Sequence, residues 1–383
     1  MNNTPAPAGQ PQGGTDLFLL VAAALLVMVG TLMIYSSSTL LSDREYGDSF
    51  YLLRLHLGHI GVGLLLMFLM MRLPYTLWRD KLPLLLLLSL VLLLLVLIPG
   101  IGHKVGGARR WLGLGPFNFQ PVELLKLVLI AYVASYLDRK RGLMENFLRG
   151  LAPNFVVMGV FLVLLLLQPD FGSVVLITFT LLLMVFVGGA KPSHIFSSLL
   201  AMGVVGGWLV ASRSYRMARI LAFMDPWGNR HDAGFQVVQS FLAFGNGGLL
   251  GMGVGASRQK MFFLPDAHTD FIMAIVAEEL GLVGVLMVMG LLGFFLLRGF
   301  RTSLHCPDDF GKHFAFGLTV SLALQMFINL GVVTGTLPTK GLPMPFISYG
   351  GSSLVACLMM TGILLGIGRQ SAWPRPIPPK ETS

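Results

Sequence analysis

One short stretch of the chain carries side chains suited to acid–base chemistry. Residues 262–270 read FFLPDAHTD, and an apolar run begins at Phe271 directly after Asp270. Asp270 could be the N-cap of a helix, as could Thr269, because such side chains accept backbone N–H bonds. Asp270 could equally be a general base that takes a proton from a reacting hydroxyl group. His268 and the two carboxylates of the stretch are weak evidence for a metal site.

A second stretch carries two adjacent arginines next to an aromatic residue. Arg109, Arg110 and Trp111 lie in residues 106–126, GGARRWLGLGPFNFQPVELLK. Arginine can bind phosphate oxygens with paired hydrogen bonds. Arginine and tryptophan are also typical of the lipid headgroup level, and the local sequence favours this second interpretation.

A third stretch, residues 337–353, reads LPTKGLPMPFISYGGSS and contains one charge, Lys340. Three prolines and three glycines within it exclude a regular helix at its start. Lys340 could stabilise a leaving pyrophosphate, or it could be a charge that only sets membrane topology. Tyr349 could line a cavity or lie at the membrane interface.

The glycine-rich segment Gly245–Gly255, GNGGLLGMGVG, resembles a phosphate-binding loop only superficially. The Gly-Lys-Ser/Thr order of a P-loop is absent, which argues against a nucleotide site. A packed surface loop and a substrate-lining loop remain equally good interpretations. Glu123 and Lys126, three residues apart in one apolar segment, favour an internal structural ion pair.

The elements that must position these residues are membrane-spanning helices. The chain has 383 residues, of which 55% are hydrophobic and only 12% charged, and its mean hydropathy is +0.76. Soluble domains carry about 25% charged residues. We therefore predict an all-α integral membrane protein with about ten transmembrane helices. The predicted spans are Asp16–Ser38, Leu52–Met71, Leu82–Pro99, Pro121–Leu137, Leu151–Leu167, Ser173–Gly188, His194–Ser212, Asp270–Leu297, Phe314–Thr334 and Phe346–Gly368.

The distribution of lysine and arginine predicts the orientation. With both termini cytoplasmic, the inner loops and C-terminal tail hold 14 Lys and Arg, and the short outer loops hold 5. A long extracytoplasmic loop then joins helices 7 and 8, and the candidate chemistry lies outside. We predict a disordered cytoplasmic tail over residues 1–15, a membrane domain over 16–370 and a cytoplasmic tail over 371–383. The formal charge of +9 is explained largely by topology and predicts no nucleic-acid partner. No disulfide is predicted.

Four strings together resemble one known family. GGARRWLGLGPFNFQP, QPDFG, FLPDAHTDFIMAIVAEELG and LPTKGLPMPFISYGGSSL occur in the order and spacing of the SEDS family (shape, elongation, division and sporulation) of peptidoglycan glycosyltransferases. The resemblance covers about residues 16–370. It is strongest to the cell-division branch of the family and next to the elongation branch.

The resemblance implies an inverting glycosyltransferase that polymerises lipid II into β-1,4 glycan strands on the outer face of the bacterial cytoplasmic membrane, at the division septum. Asp270 is implied as the catalytic base, and Lys340 with Arg109 and Arg110 as the pyrophosphate ligands. The remaining implied cavity residues are Trp111, Gln236, Gln239, His268, Thr269 and Tyr349.

The resemblance also implies partners. These are the lipid-linked growing glycan strand, a class B penicillin-binding transpeptidase and other division proteins. A divalent cation, Mg or Mn, at the pyrophosphate is chemically reasonable, but no ligand set in the sequence requires one. Two rival interpretations remain, a lipid II flippase and a non-catalytic division scaffold.

Overall fold

The computed structural model describes residues 14–371, apart from residues 106, 116, 213, 262, 263 and 266. Nearly all of both predicted tails lies outside the described residues, so their disorder and their side of the membrane stay predictions. The helices are α1 Leu17–Tyr46, α2 Tyr51–Arg72, α3 Thr76–Asp80, α4 Leu82–Leu97, α5 Pro121–Arg139, α6 Ala152–Leu167, α7 Phe171–Val187, α8 Pro192–Ala211, α9 Ser214–Met224, α10 Phe235–Gly247, α11 Ile272–His305, α12 Asp309–Val333 and α13 Gly351–Ser371.

The helices confirm the predicted class, a polytopic α-helical membrane protein. Among the described residues, seven helical segments are long and apolar enough to cross a membrane, and α4 and α7 are shorter apolar helices. One π-helical turn, Phe147–Leu151, precedes α6 and lengthens it to a spanning segment. The 19-residue α5 is also buried in the bundle, although it carries Glu123 and Lys126. The number of spans and the side that each end faces stay predictions.

Several boundaries differ from the predicted ones. Helix α1 continues to Tyr46, well past Ser38, because the polar residues after the apolar run are still helix-compatible. Helix α13 begins at Gly351, and Phe346 lies in the loop before it. The predicted long loop between the seventh and eighth spans contains two helices, α9 and α10.

A small antiparallel sheet adds to the predicted helices. Strands β1 (Gly102–Val105), β2 (Ala108–Leu114) and β3 (Phe117–Phe119) lie between α4 and α5 in the order β1-β2-β3. Arg109 lies opposite Lys104, and Trp111 lies opposite His103. The strands are too short, and too rich in glycine and charge, to show the alternation that predicts a sheet.

Close helix contacts in the bundle depend on small residues. A β-carbon at Gly362 of α13 would lie 2.2 Å from the carbonyl oxygen of Met67 on α2, so only glycine lets the two backbones approach this closely.

The ammonium of Lys126 lies 2.7 Å from the carboxylate of Glu123 and donates to Gln325 Oε1 at 3.1 Å. All three side chains are buried, which confirms the internal ion pair.

Helix α11 is broken at Gly281, and the glycine-rich segment fills the break. Gly281 has φ 66° and ψ −167°, which is not helical. The backbone of Gly248–Gly253 therefore takes over the hydrogen bonds that the helix loses. Leu282 N donates to Gly248 O, Val283 N to Leu249 O, Met252 N to Glu278 O and Gly253 N to Glu279 O, at 3.0, 3.2, 2.9 and 3.0 Å. The glycine-rich segment is thus a packed structural loop.

The two glutamates before the break are fully buried. Glu278 accepts a hydrogen bond from the Ser257 hydroxyl, and Glu279 accepts one from Ser36 of α1 at 2.6 Å. The Lys260 ammonium lies 3.2 Å from Glu279. This cluster ties α1, α11 and the segment that leads to Asp270 into one unit. The cysteines Cys306 and Cys357 are free and buried.

Candidate functional site

A cavity of about 1020 Å³ opens at one end of the bundle. Its walls come from the end of α1, the start of α2, strands β2 and β3, helices α9 and α10, and the segments before α11 and α13. Distant parts of the sequence therefore meet at the end predicted to face outside. Eight of the predicted site residues line the cavity: Arg110, Trp111, Gln236, His268, Thr269, Asp270, Lys340 and Tyr349.

Two predicted site residues, Arg109 and Gln239, are not among the residues that line the cavity. Arg109 is the neighbour of Arg110 on β2, but Arg110 and Trp111, and not Arg109, line the cavity. Gln239 lies further along α10 than Gln236, which does reach the cavity. Of the two arginines and two glutamines that the sequence predicts at the cavity, Arg110 and Gln236 line it.

Asp270 lies at the cavity wall immediately before α11. The N-cap position of α11 is occupied by Phe271, which has no capping side chain, so neither Asp270 nor Thr269 is the N-cap. The Asp270 carboxylate faces Gly341, where a β-carbon would lie 2.6 Å from Oδ2. The segment before α13 therefore packs directly on the carboxylate.

Hydrogen bonds fix the backbone on both sides of this contact. The buried amide of Asn329 on α12 donates to the carbonyl oxygens of Asp270 and Leu342, each at 2.8 Å. Gln325, one turn earlier on the same helix, donates to Pro343 O at 2.8 Å. One face of α12 thus holds the Asp270 segment and the Lys340 segment together.

The segment around Tyr349 is hydrogen-bonded to the residues immediately before Asp270. Tyr349 N donates to His268 O at 2.9 Å, and the Ser348 hydroxyl donates to Thr269 O at 2.6 Å. The rings of His268 and Tyr349 lie 5.7 Å apart between centroids. Burial raises the pKa of Tyr349 to about 12, so it stays a neutral hydrogen-bonding group at physiological pH. These contacts order the residues immediately before Asp270.

Lys340 supplies a half-buried cation to the cavity. Burial lowers the pKa of its ammonium to about 8. Its Nζ lies 4.7 Å from the centroid of the Phe171 ring. Within the described part of the chain, no carboxylate pairs with this ammonium. A desolvated cation without a protein counter-ion favours an anionic ligand.

Arg110 reaches the cavity from β2 and is held by the turn between α6 and α7. Its guanidinium donates to the carbonyl oxygens of Gln168, at 3.2 Å, and Pro169. It also lies 3.8 Å from a carboxylate oxygen of Asp170. The side chain is therefore fixed in place while one part of it lines the cavity.

The sequence analysis missed several lining residues, of which Arg219 is the clearest. Arg219 lies on α9 and donates to Thr339 O at 3.3 Å, beside Lys340. The segment Ser214–Met224 combines arginines with apolar residues at helical spacing, and this amphipathic pattern was the available signal. His59 of α2 and Lys260 also line the cavity. The Lys260 ammonium donates hydrogen bonds to Ser36, Gly255 and Glu279, so it stabilises the fold and is less suited to binding an anion.

The charges that line the cavity are mainly positive. The cations are Arg110, Arg219, Lys260 and Lys340, and the carboxylates are Glu45 and Asp270. Over the described residues, no cluster of three or more His, Cys, Asp or Glu side chains is arranged to hold a metal ion. A divalent cation at this site therefore stays a prediction, and it would need oxygens from a substrate as ligands.

The fold and the cavity define a class of protein: a multi-pass membrane protein that presents, among its described residues, two carboxylates and four cations in a cavity at one end of its helical bundle. The sequence pattern of the cell cycle protein family of FtsW, RodA and SpoVE matches residues 16–372. The chain therefore belongs to this family, as the resemblance predicted.

Relatives and solved structures agree with this assignment. The chain is 45% identical over 352 residues to a probable peptidoglycan glycosyltransferase FtsW of Geobacter metallireducens, which covers 92% of this chain and 94% of that protein. It is 42% identical over 361 residues to the stage V sporulation protein E of Bacillus subtilis, with 94% and 98% covered.

Among solved structures, a chain from a peptidoglycan synthase complex, described for its coordination of polymerization and crosslinking, matches with a TM-score of 0.77. It is 31% identical and covers 94% of this chain and 98% of its own length. The rod shape determining protein RodA of Thermus thermophilus matches with a TM-score of 0.69 and 31% identity, over 93% and 97% of the two chains.

Proposed function

We propose that this chain is a peptidoglycan glycosyltransferase that polymerises lipid II into β-1,4 glycan strands. Its relatives carry that enzymatic name, and the cavity offers the groups that the reaction needs. The observation that carries the proposal is the placement of Asp270 and Lys340. Both line one cavity, and the lysine has no carboxylate partner among the described residues.

In the proposed reaction, Asp270 accepts the proton from the 4-hydroxyl of the acceptor N-acetylglucosamine. That oxygen attacks the anomeric carbon of the muramyl unit at the end of the growing strand. The carbon–oxygen bond to the pyrophosphate breaks, and undecaprenyl pyrophosphate leaves with the electron pair. An α-linked donor and a β-linked product imply one in-line displacement with inversion.

Cations at the cavity wall stabilise the leaving group in this proposal. The Lys340 ammonium can bind the pyrophosphate without first breaking an ion pair with a protein carboxylate. Arg110 and Arg219 lie on neighbouring walls and add to the positive potential. Gln236, His268 and Tyr349 are suited to hydrogen bonds with sugar hydroxyls and amides.

The names of the relatives and of one solved structure support a partner and a location. We propose that the chain works with a class B penicillin-binding transpeptidase, since a matching solved structure belongs to a complex that couples polymerization to crosslinking. Several relatives are named FtsW, which supports a role in septal wall synthesis.

The test uses purified full-length protein with a transpeptidase partner whose own crosslinking is blocked. Lipid II is supplied, and the glycan polymer is measured on a gel for wild type, Asp270→Asn and Asp270→Ala. The matched control is Glu45→Gln, which neutralises the other carboxylate that lines the cavity. We expect polymer from the wild type and the control, and loss of at least about 10²-fold in both Asp270 variants, because a general base contributes that much.

Two results would contradict the proposal. If both Asp270 variants polymerise as fast as wild type while remaining folded, Asp270 is not the base. If wild type makes no polymer under conditions in which a family member does, a flippase or a scaffold becomes the better interpretation. Lipid II transport across proteoliposomes would then separate these two.

A further inference from the structure

The turn between α6 and α7 contacts three of the cations around the cavity. Its carbonyl groups at Gln168 and Pro169 accept hydrogen bonds from Arg110. The ring of Phe171, the first residue of α7, has the Lys340 ammonium 4.7 Å from its centroid and the Arg216 guanidinium 5.7 Å away. These cations come from β2, from α9 and from the segment before α13, so one short turn organises cations from three elements.

The backbone that carries Phe171 is fixed by contacts of the residues on either side of it. Asp170 is the N-cap of α7, and its carboxylate accepts hydrogen bonds from the Ser173 amide at 3.3 Å and from the Ser173 hydroxyl at 2.8 Å. Asp170 itself is buried. A β-carbon at Gly172 would lie 3.5 Å from Leu342, so this turn packs against the segment that carries Lys340. The turn that carries Phe171 is therefore anchored next to the segment that carries Lys340.

The Lys340 ammonium depends on this ring more than an exposed lysine would. The ammonium is half-buried, and in the described residues the Phe171 ring is its one polar or π contact. A cation over an aromatic face is attracted by the ring quadrupole, and the attraction grows when water is excluded. The ring stabilises the charge without neutralising it, which a carboxylate would do. The ammonium therefore stays available for an anion.

We propose that Phe171 is a positioning residue that holds the Lys340 ammonium at the wall of the cavity for the pyrophosphate of the lipid-linked substrate. This inference rests on the proposed function, which supplies the pyrophosphate. It extends that function to a residue that does not itself line the cavity. Phe171 acts through Lys340, so its effect on anion binding depends on whether Lys340 is present.

The test is a double-mutant cycle on binding of undecaprenyl pyrophosphate to the purified full-length chain. The variants are Phe171→Leu, which keeps apolar bulk but removes the ring, Phe171→Tyr, which keeps the ring, and Lys340→Gln. Phe179→Leu, a partly exposed phenylalanine on the same helix, is the matched control. Phe171→Met provides a second ring-free variant if the leucine variant is poorly folded. Thermal unfolding in detergent is recorded for each.

We expect Phe171→Leu to weaken binding about 5-fold, the effect of one cation–π contact at a partly exposed site. Phe171→Tyr and Phe179→Leu should bind within about 2-fold of wild type, and Phe171→Leu should cause less than about 2-fold further loss in the Lys340→Gln background. In polymerisation assays the ring-free variant should raise KM for lipid II more than it lowers kcat. The tyrosine variant should restore the wild-type KM.

Three results would overturn the inference. The first is that Phe171→Leu and Phe171→Met both bind undecaprenyl pyrophosphate as tightly as wild type. The second is that Phe171→Tyr, which keeps the ring, binds as weakly as the ring-free variants. The third is that Phe171→Leu weakens binding by the same factor in the wild-type and the Lys340→Gln backgrounds. The last would mean that Phe171 acts by packing alone. Each of these leaves the proposed function standing if wild type polymerises lipid II and Asp270→Asn does not. If wild type neither polymerises lipid II nor binds the pyrophosphate lipid, both proposals fail.

Discussion

The carboxylate of Asp270 lies against the backbone of Gly341, so close that a β-carbon at residue 341 would displace the carboxylate. Such an atom would lie 2.6 Å from Oδ2 and 3.5 Å from Cγ of Asp270. The two residues belong to different segments, which Asn329 joins through hydrogen bonds at 2.8 Å to Asp270 O and Leu342 O. The glycine after Lys340 is therefore part of the geometry of the candidate base.

This contact predicts that Gly341→Ala lowers activity without unfolding the protein. The added methyl group meets the end of a side chain, which can rotate away, and not a backbone atom. A displacement of about 1 Å at a reacting group can cost on the order of 10²-fold in rate. We expect a loss of about 10- to 100-fold in the rate of lipid II polymerisation and little change in the thermal unfolding temperature.

Gly245→Ala is the control for this substitution. Gly245 lies on α10, and a β-carbon there has no neighbour within 4 Å. It should polymerise lipid II at the wild-type rate. Full activity of Gly341→Ala would show that the carboxylate does not need its observed position.

A second prediction concerns the pH dependence of the reaction. The pKa of Lys340 is lowered to about 8 by burial, so the ammonium is the main form below that pH and is lost above it. The charged groups around it are Arg216, which contacts the same Phe171 ring, Arg219, which donates to Thr339 O, and Asp270, which faces the neighbouring Gly341. Because an anion binds the charged form, kcat/KM for lipid II should fall as the pH rises through about 8.

Lys340→Arg tests the origin of this fall. Arginine does not deprotonate in this range, so the alkaline decrease in kcat/KM should move to higher pH even if the maximal rate is lower. The measurement is the initial rate of polymerisation at low lipid II concentration between pH 6 and 10, a span of about two units around the pKa. An unchanged alkaline limb in the arginine variant would assign the titration to another group.

The sequence predicts those parts of the site that depend on residues close together in the chain. The helices follow from apolar composition, and Asp270, Lys340 and Tyr349 follow from motifs that are each continuous in sequence. The burial of Glu123 with Lys126 follows from the cost of isolated charge in a membrane. These inferences need no knowledge of how the helices pack.

The parts that the sequence did not predict depend on packing. Arg109 and Arg110 are adjacent and chemically equal, and only the orientation of β2 decides which one reaches the cavity. Arg219 reaches the cavity because part of the long loop forms α9, from which the Arg219 guanidinium donates a hydrogen bond to Thr339 O. Phe171 gains its contact with Lys340 from a turn that is distant in sequence. Pairings of this kind have no local signature.

The third prediction concerns Gly281, where the break in α11 has no local explanation in sequence either. A β-carbon there would lie 2.4 Å from Gly251 N and from Leu249 O, which are backbone atoms that cannot rotate away. The residue also has φ 66°, a conformation that is costly for alanine. Gly281→Ala should therefore push the glycine-rich loop out of the break and destabilise the protein by about 2–4 kcal/mol.

The consequence should be visible in both stability and activity. Met252 N of the loop donates a hydrogen bond to Glu278 O just before the break. The next residue, Glu279, forms an ion pair with Lys260 at the cavity wall. A lower thermal unfolding temperature should accompany reduced polymerisation even at temperatures where the variant is folded. Gly290→Ala, further along α11 at a position with no neighbour within 4 Å, should change neither. Equal unfolding temperatures for the two variants would mean that the break in α11 tolerates a side chain, and the glycine-rich loop would then lose its structural role.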